Sequence, residues 1–421
     1  MKVEMPTIDP EAIRAAMTPY KAGLYFNNAA ASLMPHTVLN AVTNHLARES
    51  AKGAYGAASE VADQLADLYS AASQLLGCDS DEVAVTDSHS RGWGAAIGAM
   101  RFNVGDRILV SRGEWGGNYA ALVHIARSRG ALLEIIPSDD SGAVCLEQLE
   151  AMLDERVRLI ALTWLPANGG LVNPAAQVGA LARAAGIAFV LDAAQAVGQM
   201  PVNVQALGCD VLTAPGRKWL RGPRGTGLLY VRRSFLTQLD PPAVDHFSAP
   251  WTGSEYRLRN DARRFETSEA SVALRLGLRA AIRGALELGL DAIQYRIVSL
   301  AEALRSSLAA IESVQVHDLG RQRSGLVSFT VNGVTPAQVR ELLQDAGIEV
   351  AVSGVAFTPL DMQARGLTDL VRASPHLYTT QADIDQLAVA VSQIVRHSKN
   401  DETPAATGSG ASPRARAGPT A

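Results

Sequence analysis

Between Asn27 and Val231 the chain alternates short apolar runs with alanine-rich segments of helical period. The runs are EVAVT, DRILVS, LLEIIP, RLIALTW, IAFVLDAA, DVLTAP and GTGLLYV. Short apolar runs without polar alternation predict strands buried on both faces. Strands separated by helices predict a mostly parallel sheet with helices on either side. DVLTAP and GTGLLYV have too little chain between them for a crossover helix, so an antiparallel hairpin is expected there. The pattern predicts an α/β fold whose large domain holds a mostly parallel seven-stranded sheet.

After Arg263 the character changes. One long helical stretch, ASVALRLGLRAAIRGALELGLDAIQYRIVSLAEALRSSLAAI, precedes a few strands (LVSFTV, IEVAVS) and a last helix, QADIDQLAVAVSQIVRHS. These predict a small α+β C-terminal domain. The expected organisation is an N-terminal helical segment (1–22), a large domain (23–256), a small domain (257–398) and a tail (399–421) without apolar periodicity, expected to be disordered. No internal repeat is visible.

Composition narrows the function. At 421 residues, 48% hydrophobic and 19% charged, the chain is globular with a large core. A net charge of −4, 38 basic against 42 acidic residues, gives no electrostatic reason to expect a nucleic-acid partner, and no membrane association is expected. The N-terminus MKVEMPTIDPEAIRAAM lacks the basic start and apolar run of a secretory signal, which predicts a cytoplasmic protein. Cys78, Cys145 and Cys209 are far apart, and the histidines form no HExxH or HxxxH helix face, so no metal site is expected.

The candidate chemistry lies in LTAPGRKWLRGPRGTGLLYV, where Lys218 stands between Arg217 and Arg221. Neighbouring cations disfavour a protonated amine, and a lysine so placed can be a nucleophile at neutral pH. Asp192 ends the run IAFVLDAAQAVG, and the C-terminal ends of strands in an open parallel sheet are where ligands bind. A Schiff-base lysine and a carboxylate paired with a protonated ring nitrogen are the two protein groups that pyridoxal 5'-phosphate demands. Its phosphate needs donors at a helix N-terminus, and EVAVTDSHSRGWGAAIGAM offers Ser88, His89 and Ser90 as a helix opens. Gly92, Gly94 and Gly98 after that strand raise a dinucleotide loop as a competitor. Their spacing is one residue too long, and they fall inside the helix instead of at its mouth.

With these residues in view, the chain from about Asn27 to Ile394 resembles the fold-type I enzymes that use pyridoxal phosphate, specifically the class V aminotransferase and cysteine desulfurase superfamily. LDAAQAVG is similar to the family's Asp-x-x-Gln, implying Asp192 for the ring nitrogen and Gln195 for the ring hydroxyl. The lysine turn resembles the family's Ser-x-His-Lys region, with Arg217 in the histidine place and Lys218 as the Schiff-base lysine. Pro215 and Gly216 stand where the hydroxyl is usual, which implies phosphate contacts from Ser88, His89, Ser90, Thr213 and Arg217. SRGEWGGN puts Trp115 where the family stacks a histidine on the cofactor ring. TWLPANGGLVNP resembles the segment whose asparagine touches cofactor or substrate; the ungapped register offers Ala167, and Asn168 is the asparagine nearby. LVRASPHLYTT resembles the segment holding the arginine for the substrate carboxylate, here Arg372. Asn28 and Tyr55 fall where the family's N-terminal segments approach the substrate, with a structural role as the alternative.

The resemblance also bears on the reaction. VAVSGVAFTPLDMQARGLTDL holds no cysteine where desulfurases of the superfamily carry their nucleophile. ARRFETSEASVALRLGL and LDMQARGLTDLVRASPHLYTT look most like the C–S lyase branch, which includes ergothioneine-pathway lyases and enzymes of lincosamide antibiotic assembly. Isopenicillin N epimerase is a more distant relative. A threonine that reaches the partner subunit's phosphate in many members is replaced by Glu269 or its neighbours. The resemblance implies a homodimer that cleaves an S-substituted cysteine to a thiol, pyruvate and ammonia in secondary-metabolite or low-molecular-weight thiol biosynthesis. Decarboxylating oxidative deamination to an aldehyde is the rival, then transamination or epimerisation, because fold and cofactor do not decide which Cα bond breaks.

Overall fold

In the computed structural model, which describes residues 8–401, all seven apolar runs form one sheet. After the short β1 (Leu24–Tyr25), its strands are β2 (Val83–Thr86), β3 (Arg107–Ser111), β4 (Leu132–Ile136), β5 (Val157–Thr163), β6 (Ala188–Asp192), β7 (Val211–Pro215) and β8 (Gly227–Val231). Their order is β2-β8-β7-β6-β5-β3-β4. Strands β3 to β7 are parallel, and β8 runs antiparallel to β7 and β2, which is the expected hairpin.

The alternation of side chains explains why the runs are apolar throughout. Leu109, Ile160, Leu162, Leu191 and Leu212 enter the core on one face; Ile108, Val110, Leu159, Ala161, Val190 and Val211 enter the core on the other. Successive residues change face and both faces are covered.

The long helical stretch is two helices, Val272–Leu288 and Leu290–Ala309, separated at Gly289 with φ of +81°. Glycine takes that conformation without steric penalty, so the helical period runs on in sequence while the helix stops. The first helix packs on His36–Lys52 and Ala62–Leu76. The second places Ile293 and Ile297 in the large core and Leu300, Leu304 and Leu308 in a third core.

That third core underlies an antiparallel sheet of order β12-β13-β10-β9, with β9 (Val314–Val316), β10 (Val327–Val331), β12 (Ala351–Gly354) and β13 (Asp369–Ala373). The run IEVAVS is divided: β11 (Ile348–Glu349) pairs with β1, and only the following β12 joins the four-stranded sheet. Strand β13 carries Arg372. Only Pro10–Ala15 of the N-terminal segment is helical among the described residues; Arg14 binds the Tyr378 carbonyl (2.8 Å) and Asp383 in the first turn of the last helix, Gln381–Asp401. Most of the tail, 402–421, lies outside the described residues. No helix among the described residues is long and apolar enough to cross a membrane.

Glu266 joins three elements from a buried position. It accepts from the Tyr69 hydroxyl (2.9 Å), the Val85 amide (2.9 Å) and Arg275 Nη2 (2.7 Å). Glu266→Gln keeps the shape but leaves Arg275 without its counter-charge. It is expected to lower the unfolding free energy by about 3 kcal/mol, measured as a lower urea midpoint at unchanged slope.

Candidate active site

The C-terminal ends of three parallel strands are level. Thr163 on β5 is in register with Asp192 on β6, and Asp192 with Thr213 on β7. This row anchors a polar network at the sheet edge. Asp192 Oδ1 accepts from the Ala194 amide and Oδ2 from Asn118 Nδ2, both at 2.7 Å, while His89 Nε2 lies 3.2 Å from Oδ2. The Thr213 hydroxyl holds His89 Nδ1 at 2.8 Å. Burial pushes the Asp192 carboxyl up, but His89, Lys218 and the Ala194 amide outweigh it and hold the group below the ordinary carboxylate value. Asp192 is therefore an ionised acid in a buried position.

A second buried acid, Glu114, lies behind it. Its Oε1 accepts from Asn118 Nδ2 (2.9 Å) and the Thr163 hydroxyl (2.8 Å), and its Oε2 from the Thr163 amide (3.0 Å). Asn118 thus bridges two carboxylates. Burial, then the charge of Asp192, pushes Glu114 up to about 7.

Lys218 follows β7 through the turn at Gly216 and Arg217. Its amine makes no hydrogen bond or ion pair among the described residues and faces a cavity of about 370 Å³. Burial, opposed by Asp192 and assisted by Arg217 and Arg372, brings it down to about 7. Cationic company is thus real but second to desolvation. Arg221 takes no part: it has φ of 61°, donates to the Leu33 carbonyl at 3.0 Å and lies over the Tyr378 ring.

Ser88, His89, Ser90, Trp115, Asp192, Gln195, Arg217 and Lys218 all line this one cavity, as the sequence leads one to expect. Ser88 caps the helix His89–Gly98, which contains Gly92, Gly94 and Gly98, so no glycine loop forms at its mouth. Trp115 meets His89 edge-on, with ring centroids 5.7 Å apart.

Five residues expected at the site do not line this cavity. Thr213 is fully buried and spends its hydroxyl on His89, so it supports the site from behind instead of lining it. Asn168 turns away and donates to Asp361 at 2.6 Å; Ala167 lines the cavity, and its carbonyl receives Arg372 Nη1 at 2.7 Å. Asn28 is consumed by the Ser374 carbonyl (2.7 Å) and the Tyr378 hydroxyl. Tyr55 is 91% exposed and lies outside the cavity. Arg372 is buried and does not line the cavity, but its charge acts on Lys218.

Sequence reasoning passed over Glu114, Asn118, Thr163, Arg224 and Thr226. The one available signal was Glu114 beside Trp115 with Asn118 one helical turn on.

These residues fit pyridoxal phosphate. Arg217 and Arg372 are cations near the Lys218 amine, and Arg372 Nε is buried without a partner. With Asp192 as the acid facing them, such a site favours dianionic and carboxylate ligands. A free near-neutral amine, an ionised acid at a strand end and a capped helix N-terminus complete the donor set.

Fold and site together define an α/β enzyme dependent on pyridoxal phosphate. The family model described as Aminotransferase class-V matches residues 24–387, and the chain belongs to that family. A probable cysteine desulfurase of Methanothermobacter thermautotrophicus is 27% identical over 393 residues, covering 91% of this chain and 98% of the relative. A probable hercynylcysteine sulfoxide lyase of Mycobacterium tuberculosis is 31% identical over 384 residues, covering 90% and 91%. The solved cysteine desulfurase of Thermococcus onnurineus superposes with a TM-score of 0.85 at 26% identity, covering 94% of this chain and 99% of that one.

Two outcomes follow from the geometry. The rate at which the apoenzyme takes up cofactor should rise with pH through an inflection near 7, where the Lys218 amine loses its proton. Arg217→Gln removes a cation, so the inflection should move upward yet stay below 10.5, because burial is the larger cause. A β-carbon at Gly117 would stand 2.2 Å from the Trp115 ring. Gly117→Ala should therefore displace that ring and weaken cofactor binding roughly five- to tenfold, read by equilibrium dialysis.

Proposed function

We propose that the chain is a C–S β-lyase that converts an S-substituted cysteine to a thiol, pyruvate and ammonia. The observation that carries this is a cavity that holds a near-neutral amine and no thiol. Neither Cys78, Cys145 nor Cys209 lines the cavity, and residues 351–367 contain no cysteine. Burial, then Glu82, pushes Cys78 up to about 12. Persulfide formation needs a thiolate within reach of the leaving sulfur. A relative named as a hercynylcysteine sulfoxide lyase is in keeping with this reading and stands beside relatives named as cysteine desulfurases.

Bound pyridoxal phosphate supplies the electron sink for a carbanion at the substrate Cα. Arg372, whose buried Nε is unpartnered while its Nη1 binds the carbonyl of cavity-lining Ala167, is the cation left to take the substrate carboxylate. Lys218 Nζ, near neutrality, removes the Cα proton as general base. Asp192 stays ionised and keeps the proton on the ring nitrogen. The Cα–H and Cβ–S bonds break, the sulfur leaves as a thiolate that takes up a proton, and water hydrolyses the remaining three-carbon fragment to pyruvate and ammonia.

Incubating the cofactor-loaded enzyme with several S-substituted cysteines tests this by mass spectrometry. Equimolar pyruvate, ammonia and thiol are expected, and all three are lost in Lys218→Ala. An aldehyde with carbon dioxide and no pyruvate would replace the lyase with a decarboxylating deaminase.

A further inference from the structure

A glutamine at the cofactor site can present either its oxygen or its nitrogen, and only the nitrogen can donate to an acidic ring oxygen. The buried indole of Trp219, the residue after Lys218, decides between them. Its Nε1–H, which can only donate, bonds Gln195 Oε1 at 2.7 Å. The oxygen is thereby fixed toward Trp219. Gln195 Nε2 gives one hydrogen to the Ala29 carbonyl at 3.0 Å, which leaves its second hydrogen for the cavity that Gln195 lines.

Trp219 is itself held rigidly. It stacks on His376 (centroids 5.5 Å, 23°), and His376 on Tyr378 (5.5 Å, 9°). The Leu377 amide donates to His376 Nδ1 at 2.8 Å, so the imidazole proton must sit on Nε2, 3.2 Å from the Trp219 carbonyl. Burial and the nearby Arg221 keep this ring neutral. His376 lies four residues beyond Arg372, so the stack also ties the turn bearing Lys218 to the strand bearing Arg372.

We propose that Trp219 is a positioning residue: its indole N–H fixes the amide of Gln195 so that Nε2, and not Oε1, meets the ring oxygen of the cofactor. The inference rests on cofactor binding and is independent of the lyase reaction.

Trp219→Phe keeps the stacked ring and removes only the donor. The readout is the absorbance of the lysine-linked cofactor titrated against pH, with the cofactor Kd alongside. Loss of one hydrogen bond to the ring oxygen, about 1 kcal/mol, should raise the titration midpoint by roughly 0.7 unit and weaken cofactor binding about fivefold. Gln195→Leu should give the same upward shift, and adding Trp219→Phe to it should change nothing further. Should Trp219→Phe fold poorly, Gln195→Glu, which offers oxygens alone, should raise the midpoint with Trp219 intact. A wild-type midpoint in Trp219→Phe or Gln195→Glu, or a Trp219→Phe shift of equal size in the Gln195→Leu background, would overturn the proposal.

Discussion

The structure turns on keeping one buried carboxylate ionised. Asp192 is 2% exposed, and desolvation alone would push its carboxyl up. The Ala194 amide, the Asn118 amide and the nearby His89 and Lys218 reverse that preference. The same desolvation acts with opposite effect on Lys218, disfavouring its cation and leaving a near-neutral amine. One buried environment thus prepares both groups, an acid that stays charged and a base that does not.

That environment is a product of register. Thr163, Asp192 and Thr213 stand level on three parallel strands, so the hydroxyls flanking the acid meet Glu114 on one side and His89 on the other. A slip of one residue would turn each side chain to the opposite face. The apolar residues that lock the register, Leu191 and Leu162 into one core and Val190 and Ala161 into the other, therefore belong to the chemistry as much as to stability. Glu114, behind Asn118, is a second acid, pushed up by burial and then by the charge of Asp192.

Local signals were legible in the sequence and long-range pairings were not. The uninterrupted apolar runs located all seven strands, and the short link after DVLTAP located the hairpin. Lys218, Asp192, Gln195 and the residues around Ser88 share one cavity because each lies at or just beyond the end of a strand, where an open sheet places its site. Thr213, Asn168 and Asn28 do not line it, and sequence gives no sign of this because a hydroxyl or amide has several possible partners. Their actual ones, His89, Asp361 and Tyr378, lie 124, 193 and 350 residues away. Adjacent arginines likewise suggested a charge effect on Lys218, while depth of burial, the larger cause, has no local signature. Gly289 shows the same limit: helical period continued through it while its positive φ ended the helix.

The central claim, an ionised Asp192 that keeps the cofactor ring nitrogen protonated, is tested most directly by nitrogen-15 magnetic resonance of the enzyme loaded with ring-labelled pyridoxal phosphate. Between pH 6 and 9 the ring nitrogen should give the shift of the protonated form, and Asp192→Asn should move it to that of the unprotonated ring. An unprotonated ring nitrogen in the wild-type enzyme across that range would contradict the account.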